Sequence, residues 1–143
     1  MAYDQLKLEN QLCFPLYAVS RQIIRAYKPF LDPLNITYTQ YITLMALWEH
    51  DGASVKELGR LLHLDSGTLT PLLKKMERQH LVERIRSQAD ERTVHIHLTE
   101  KGWALQDAAS EIPAKLASSF ELSQDDGMAL YRILHVILAQ DGP

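Results

Sequence analysis

Cysteine is all but missing from this chain of 143 residues: Cys13 is the single one, so no disulfide can form within the chain and a cysteine-stapled fold is excluded. The six glycines are scattered and form neither a GxGxxG fingerprint nor a phosphate-cradling loop. No Ser-His-Asp order and no paired-carboxylate motif stands out, so neither a metabolic enzyme nor a bound cofactor is expected. Long apolar runs are lacking as well. The longest charge-free stretch, Pro33 to Trp48, is interrupted by Asn35, Thr37, Thr39, Gln40 and Thr43, which makes it too short and too polar to cross a bilayer. The first nine residues have no basic lead followed by an apolar run, so no secretory leader and no membrane partner are expected, and the expected location is cytoplasmic.

What is present is ordinary in amount and uneven in distribution. Apolar residues make up 46% and charged residues 23%, which suits one globular unit with a real core. Net charge is -3, which on its face disfavours a nucleic-acid partner. Yet between Arg60 and Arg92 seven basic residues outnumber five acidic ones, whereas from Trp103 onward only Lys115 and Arg132 stand against six acidic residues.

Apolar spacing predicts a helix over Pro15 to Leu31, with Leu16, Val19, Ile23, Tyr27 and Phe30 on one stripe and Asp32-Pro33 as its end. A second fits Thr39 to Glu49, with Tyr41, Leu44, Met45 and Trp48 inward. Ser54 and Glu57 have the spacing of a reciprocal capping box for a short helix to Leu62. Asp65 or Ser66 caps a fourth, with Leu69, Leu72, Leu73 and Met76 inward and its end near Gln79. The period then changes to two: Val94, Ile96 and Leu98 alternate with polar residues and pair with Leu81 to Arg86 through the linker Ser87 to Arg92. Thr99 starts a fifth helix with Trp103 and Ala108 inward, Pro113 interrupts it, and Leu116 and Phe120 resume the pattern. Ser123 caps a last helix, striped with Leu130, Ile133, Leu134, Ile137 and Leu138 and stopped by Gly142-Pro143.

Two short helices, a longer one and a hairpin, in that order, make a winged helix-turn-helix, so the fold class is mainly α with a small β-hairpin. The regions are 1–38 as an N-terminal helix carrying the cysteine, 39–98 as the winged helix-turn-helix, and 99–143 as C-terminal helices. On the fourth helix Ser66, Thr70 and Lys74 recur at steps of four away from the apolar stripe, with Gly67, Thr68 and Pro71 beside them. Small hydroxyls approach base edges and phosphates closely, and Lys74, Lys75 and Arg78 attract the backbone of double-stranded DNA. A merely solvated helix face has the same residue types. Pro71 lacks the N–H that would bond the carbonyl of Gly67, so this helix is either kinked or begins only at Thr70. At the hairpin tip Asp90 and Glu91 precede Arg92, which a ribbon of this length brings to a minor groove. Arg84 and Arg86 share one strand face and either hold Asp90 or bind phosphate.

With Pro15 in the first turn, Cys13 falls at or just before the positive end of the first helix, a setting that favours thiolate over thiol. Thiolates react with peroxides to give sulfenic acid, which another thiol can cap. A lone cysteine between Leu12 and Phe14 equally suits an inert core position. Tyr17, Tyr27 and Tyr38 are phenolic donors for the sulfur or plain core residues.

The runs Gln11 to Tyr17, Leu64 to Lys74 and Asp90-Glu91-Arg92 together resemble the MarR family, specifically its organic hydroperoxide sensors of the OhrR type, and the likeness spans nearly the whole chain. The resemblance implies a homodimeric repressor in which Cys13 senses peroxide, Tyr27 and Tyr38 of the partner subunit hydrogen-bond its sulfur, and Tyr17 is an accessory. It also implies that the Ser66 helix enters the major groove and Arg92 the minor groove, and that this chain belongs to the one-cysteine branch; a small thiol is one candidate partner for the oxidised sulfur. Pro15 departs from the small residue usual there. A dimer also follows from the residues alone: the flanking amphipathic helices carry stripes that the winged helix does not need, and a second copy covers them.

The nearest alternatives are a MarR-type regulator released by a small phenolic ligand, a one-cysteine thiol peroxidase, and a dimerisation module with no DNA role. His95 and His97, with His135, lack the spacing of a zinc site, so no metal is expected.

Overall fold

The computed structural model describes residues 3–140. Its elements are α1 (Cys13–Leu31), α2 (Tyr38–Glu49), α3 (Val55–Leu62), α4 (Ser66–Arg78), β1 (Val82–Arg86), β2 (Val94–Leu98), α5 (Glu100–Ala109), α6 (Ile112–Ala117) and α7 (Gln124–Leu138), with single 3-10 turns at Asp4–Leu6, Leu8–Asn10 and Asp32–Leu34. The chain divides into two compact units, residues 1–112 and 113–143.

The starts of α2, α3, α4 and α5 are set by oxygen-bearing caps. The Thr37 hydroxyl accepts the Gln40 N–H while the Gln40 side-chain oxygen accepts the Thr37 N–H, a complete capping box that starts α2 one residue before the expected Thr39. Ser54 caps α3 by accepting the Glu57 N–H, but the expected return bond from the Glu57 carboxylate is not made, so that box is half formed. Asp65 caps α4 and Thr99 caps α5 in the same way. Met76, His80 and Leu81 close the far end of α4: His80 adopts φ 60°, and the Leu81 N–H reaches back to the Met76 carbonyl.

The core gathers Leu44 and Leu47 of α2, Leu58 of α3, Leu69, Leu73 and Met76 of α4, and Ile96 and Leu98 of the hairpin. Helix α2 is buried on more than one stripe, because Gln40, Thr43 and Leu47 join Tyr41 and Leu44, whereas Met45 faces outward rather than inward as expected. Helix α5 is also turned from its expected face. Gly102 and Ala109 are buried and Trp103 and Ala108 are exposed, because a Cβ at position 102 would collide with the Leu81 carbonyl, and only glycine lets α5 lie that close. The Trp48 indole N–H donates to the Gly102 carbonyl at 3.1 Å.

The hairpin is antiparallel, with Val82 opposite Leu98 and Arg86 opposite Val94. A third short segment flanks it: the Gly52 N–H bonds the Ile96 carbonyl at 2.8 Å, the Ile96 N–H bonds the Ala53 carbonyl at 2.9 Å, and Ser54 pairs with His95. Gly52 turns the chain into this seam at φ +86°, a conformation that favours glycine.

In the second unit Ser123 caps α7 through the Asp126 N–H at 3.1 Å. Leu130, Ile133, Leu134, Ile137 and Leu138 lie exposed along α7, and no described residue of that helix is buried. The helix ends at Leu138; the expected Gly142-Pro143 stop lies outside the described residues.

Candidate DNA-reading surface and redox site

Helix α4 begins at Ser66, capped by Asp65, and runs through Pro71 to Arg78, so of the two alternatives the later start at Thr70 is the one excluded. The Asp65 carboxylate accepts the Thr68 N–H at 2.7 Å and so fixes the first turn upstream of the proline. Hydrogen bonds from the Thr68 side chain and backbone hold the Asp65 carboxyl below the usual carboxylate range. Pro71 withholds one intrahelical bond from the Gly67 carbonyl without displacing the helix start. Ser66, Gly67, Thr68, Pro71, Lys74, Lys75 and Arg78 are all exposed, Thr70 is half-buried, and Leu69, Leu73 and Met76 anchor the opposite side. The result is a protruding helix whose outer face holds hydroxyls, a glycine and three cations, the chemistry that contacts phosphates and base edges.

The wing is stiffened at its tip. Asp90 is not held by Arg84 or Arg86, as one expectation had it; its two carboxylate oxygens accept the Arg92 N–H at 3.0 Å and the Thr93 hydroxyl at 3.2 Å, closing the turn from within. Arg86 reaches instead to the Glu91 carbonyl at 2.9 Å. The Arg84 backbone N–H bonds Glu77 at 3.2 Å, while its side-chain Nε is buried without a partner. Arg92 is exposed beyond this locked turn.

The two histidines of β2 serve the seam rather than facing water. His95 Nδ1 lies 2.9 Å from the Gly52 carbonyl, and His97 Nδ1 lies 3.9 Å from Asp51, both rings half-buried. Among the described residues no group of three or more histidine, cysteine or acidic side chains is placed to hold a metal.

Cys13 is the first residue of α1, two positions earlier in that helix than the start expected at Pro15, and it is exposed, as are Leu12 and Phe14. It is therefore not a core cysteine of this chain. Leu12 offers no side-chain cap, so the first-turn N–H groups of α1 stay open to solvent and neighbouring groups. The phenols gather at the other end of the helix. Tyr27 of α1 and Tyr38 of α2 have ring centroids 4.9 Å apart, and both meet Tyr41, which is 3% exposed, at 5.6 and 6.3 Å. Burial first, and then the neighbouring phenols Tyr38 and Tyr41, push the Tyr27 hydroxyl up to about 12, so it stays protonated and able to donate at neutral pH. Fourteen helical steps lead from Cys13 to Tyr27, about 21 Å along the axis, so this cluster is out of reach of the sulfur at the other end of its own helix. Tyr17 stands apart from the cluster: its hydroxyl accepts from Arg21 at 3.5 Å, with the guanidinium 5.7 Å from its ring.

Two residues with no sequence motif tie the first turn of α2, which carries Tyr38, to the end of the reading helix. Gln40, 1% exposed, donates from Nε2 to Oε1 of Gln79 at 2.7 Å, and Gln79 donates to the Asn35 carbonyl at 3.3 Å. Neither these nor Tyr41 was singled out from the sequence as a site residue. The signal that would have found Tyr41 is its three-residue step from Tyr38 on one helix face.

Residues 25–108 match the family model described as transcriptional regulator SarA/Rot. The chain is 52% identical over 136 residues to the organic hydroperoxide resistance transcriptional regulator of Bacillus subtilis, covering 95% of this chain and 92% of that one. Among solved structures it is similar to AbfR of Staphylococcus epidermidis: reduced AbfR bound to DNA is 37% identical, with 96% and 97% of the two chains covered and a TM-score of 0.77. Disulfide-formed AbfR aligns with a TM-score of 0.65 at 40% identity, over 94% and 95% of the chains. A cysteine-to-serine mutant of MarR of E. coli complexed with operator DNA is 26% identical over 89% and 93% of the chains, with a TM-score of 0.78. A winged helix-turn-helix with a locked wing, an exposed hydroxyl-rich helix and these relatives on both sequence and structure means that the chain belongs to the MarR family of transcriptional regulators, in its SarA/Rot-like branch.

Proposed function

We propose that this protein is a dimeric transcriptional repressor that grips an inverted-repeat operator when reduced and lets go when organic hydroperoxide oxidises Cys13. One observation carries the reading: the exposed cysteine and the phenol cluster lie about 21 Å apart along α1, so a second copy is needed to bring one to the other. In the dimer Cys13 lies against Tyr27 and Tyr38 of the partner subunit, with Tyr17 as an accessory. Residues 1–38 and 99–143 form the dimer flanks, whose exposed stripes include Leu16, Val19, Leu134 and Ile137, and 39–98 is the reading head. The similarity to the B. subtilis organic hydroperoxide resistance regulator and to the structure of reduced AbfR bound to DNA supports this assignment.

On DNA, Ser66, Gly67, Thr68, Thr70 and Pro71 approach base edges and backbone in the major groove, Lys74, Lys75 and Arg78 neutralise phosphates, and Arg92 enters the minor groove beside them. Asp90 shapes the tip and the exposed Arg86 lies on the ribbon within reach of phosphate, whereas Arg84, with its Nε buried, turns toward the protein. Twofold symmetry sets the half-sites one or two helical turns apart, roughly 10 base pairs per turn.

The Cys13 thiolate attacks the terminal oxygen of the hydroperoxide: an S–O bond forms, the O–O bond breaks, and the leaving alkoxide takes a proton from solvent, giving a sulfenic acid and an alcohol. The sulfenic acid condenses with a small thiol, giving a mixed disulfide and water. Cys13 signals rather than turns over, and the protein acts in the cytoplasm. A change worth about 3 to 4 kcal/mol weakens operator binding several-hundredfold. The test is a gel shift on an operator selected from random double-stranded DNA, with and without cumene hydroperoxide. The parent is released, and Cys13→Ser stays bound. Release of the Cys13→Ser protein, or consumption of many peroxide equivalents per subunit, overturns the reading.

A further inference from the structure

The reading above leaves open how a change at the phenols reaches α4. Tyr38 and Gln40 share the first turn of α2, and Gln40 is buried there with both ends of its amide engaged. Its Oε1 accepts the Thr37 N–H at 3.1 Å and its Nε2 donates to Gln79 at 2.7 Å. Gln79 is the cap residue that ends α4, and its own amide donates to the Asn35 carbonyl, just before α2. Its main-chain carbonyl accepts Lys101 Nζ at 3.0 Å, tying the same point to α5. Leu44 and Leu47 of α2 make apolar, non-directional contacts, and the Trp48 indole bond to the Gly102 carbonyl ties α2 to α5 rather than to α4. A 2.7 Å amide bond does not tolerate sliding: an ångström of movement in the first turn of α2 breaks it or drags Gln79 along. Placing a polar pair here, where leucines would fill the space, fixes one register between the two helices.

We infer that the Gln40–Gln79 pair is the link that transmits displacement of Tyr38 to the end of the recognition helix. This rests on the redox-repressor reading. Gln40 and Gln79 are positioning residues: neither touches the sulfur in this chain's geometry, and neither belongs to the exposed face of α4.

The test compares the parent, Gln40→Met, Gln79→Met and the double variant as full-length reduced and cumene-hydroperoxide-treated proteins. Three quantities are read: loss of the Cys13 thiol by mass spectrometry, operator affinity in each state, and thermal stability. Thiol loss proceeds at the parental rate in all four proteins. The ratio of reduced to oxidised operator affinity falls in each single variant by roughly two- to thirtyfold, the range for residues that carry coupling. The double variant, in which two apolar side chains replace the pair, folds with near-parental stability yet stays as uncoupled as the single ones. A parental ratio in the double variant overturns the inference while leaving the repressor reading intact. A parent that keeps its operator after Cys13 is oxidised overturns both.

Discussion

The Asp51 carboxylate accepts the backbone N–H of Leu98 at 2.7 Å, joining the turn after α2 to the last residue of β2 across 47 positions of sequence. Its second oxygen faces His97 at 3.9 Å. Removing it leaves the Leu98 N–H without its acceptor in a half-buried place, which costs about 1 to 3 kcal/mol. Asp51→Ala is therefore expected to lower the unfolding free energy measured in urea by that amount, and Asp51→Asn, which keeps an acceptor oxygen, to recover most of it. Equal losses in both variants would show that charge, not the hydrogen bond, matters here.

Alkaline pH acts on the phenol cluster. The Tyr27 hydroxyl is raised from its ordinary value near 10 to about 12, so the folded state favours its neutral form. The stability this contributes is complete below pH 10 and is lost as pH rises toward about 12. Phenolate absorbance of the native protein should include a step near pH 12 that Tyr27→Phe abolishes. Disappearance of that step in Tyr38→Phe but not Tyr27→Phe would reassign it.

Acid acts on the start of the reading helix with the opposite sign. The Asp65 carboxyl is held below its ordinary 3.8 by its bonds to Thr68, so its contribution is complete above 3.8 and fades as pH falls through the lower folded value. Asp65→Asn keeps the cap oxygen without the charge. Its acid unfolding curve should be the less steep of the two, with helix content at neutral pH unchanged.

Salt dependence isolates the cations of α4. Lys74 is exposed on the outer face, so Lys74→Ala is expected to weaken operator and random-sequence DNA alike and to reduce the slope of log affinity against log salt by about 1 per subunit. Weakening confined to the operator would mean that Lys74 reads bases.

How much of this was legible in the sequence varies with the kind of signal. The periods of three to four and of two marked most of the helices and the hairpin, most plainly where one apolar stripe is buried, as in α4, whose Leu69, Leu73 and Met76 are all fully buried. The stripes failed where tertiary packing uses something other than apolarity. Gly102 took the inward place expected of Trp103 because close approach to Leu81 needs the absence of a side chain, which hydropathy does not register. Boundaries slipped where a cap lay one residue upstream, as Thr37 does for α2. At the site, Cys13 and the exposed face of α4 were visible as residue types at a spacing. Tyr41, Gln40 and Gln79 were not, since 39 positions separate the two glutamines and only the fold brings them together.

The strand pairing of residues 52–54 with β2 has a practical side for anyone recombining such domains. Because Gly52 and Ala53 are stitched to Ile96, the hairpin cannot be transplanted as an isolated cassette with α4 alone. The smallest portable module begins before Asp51 and ends after Leu98, so chimaeras joined inside that span should misregister the ribbon, whereas crossovers outside it keep it seated.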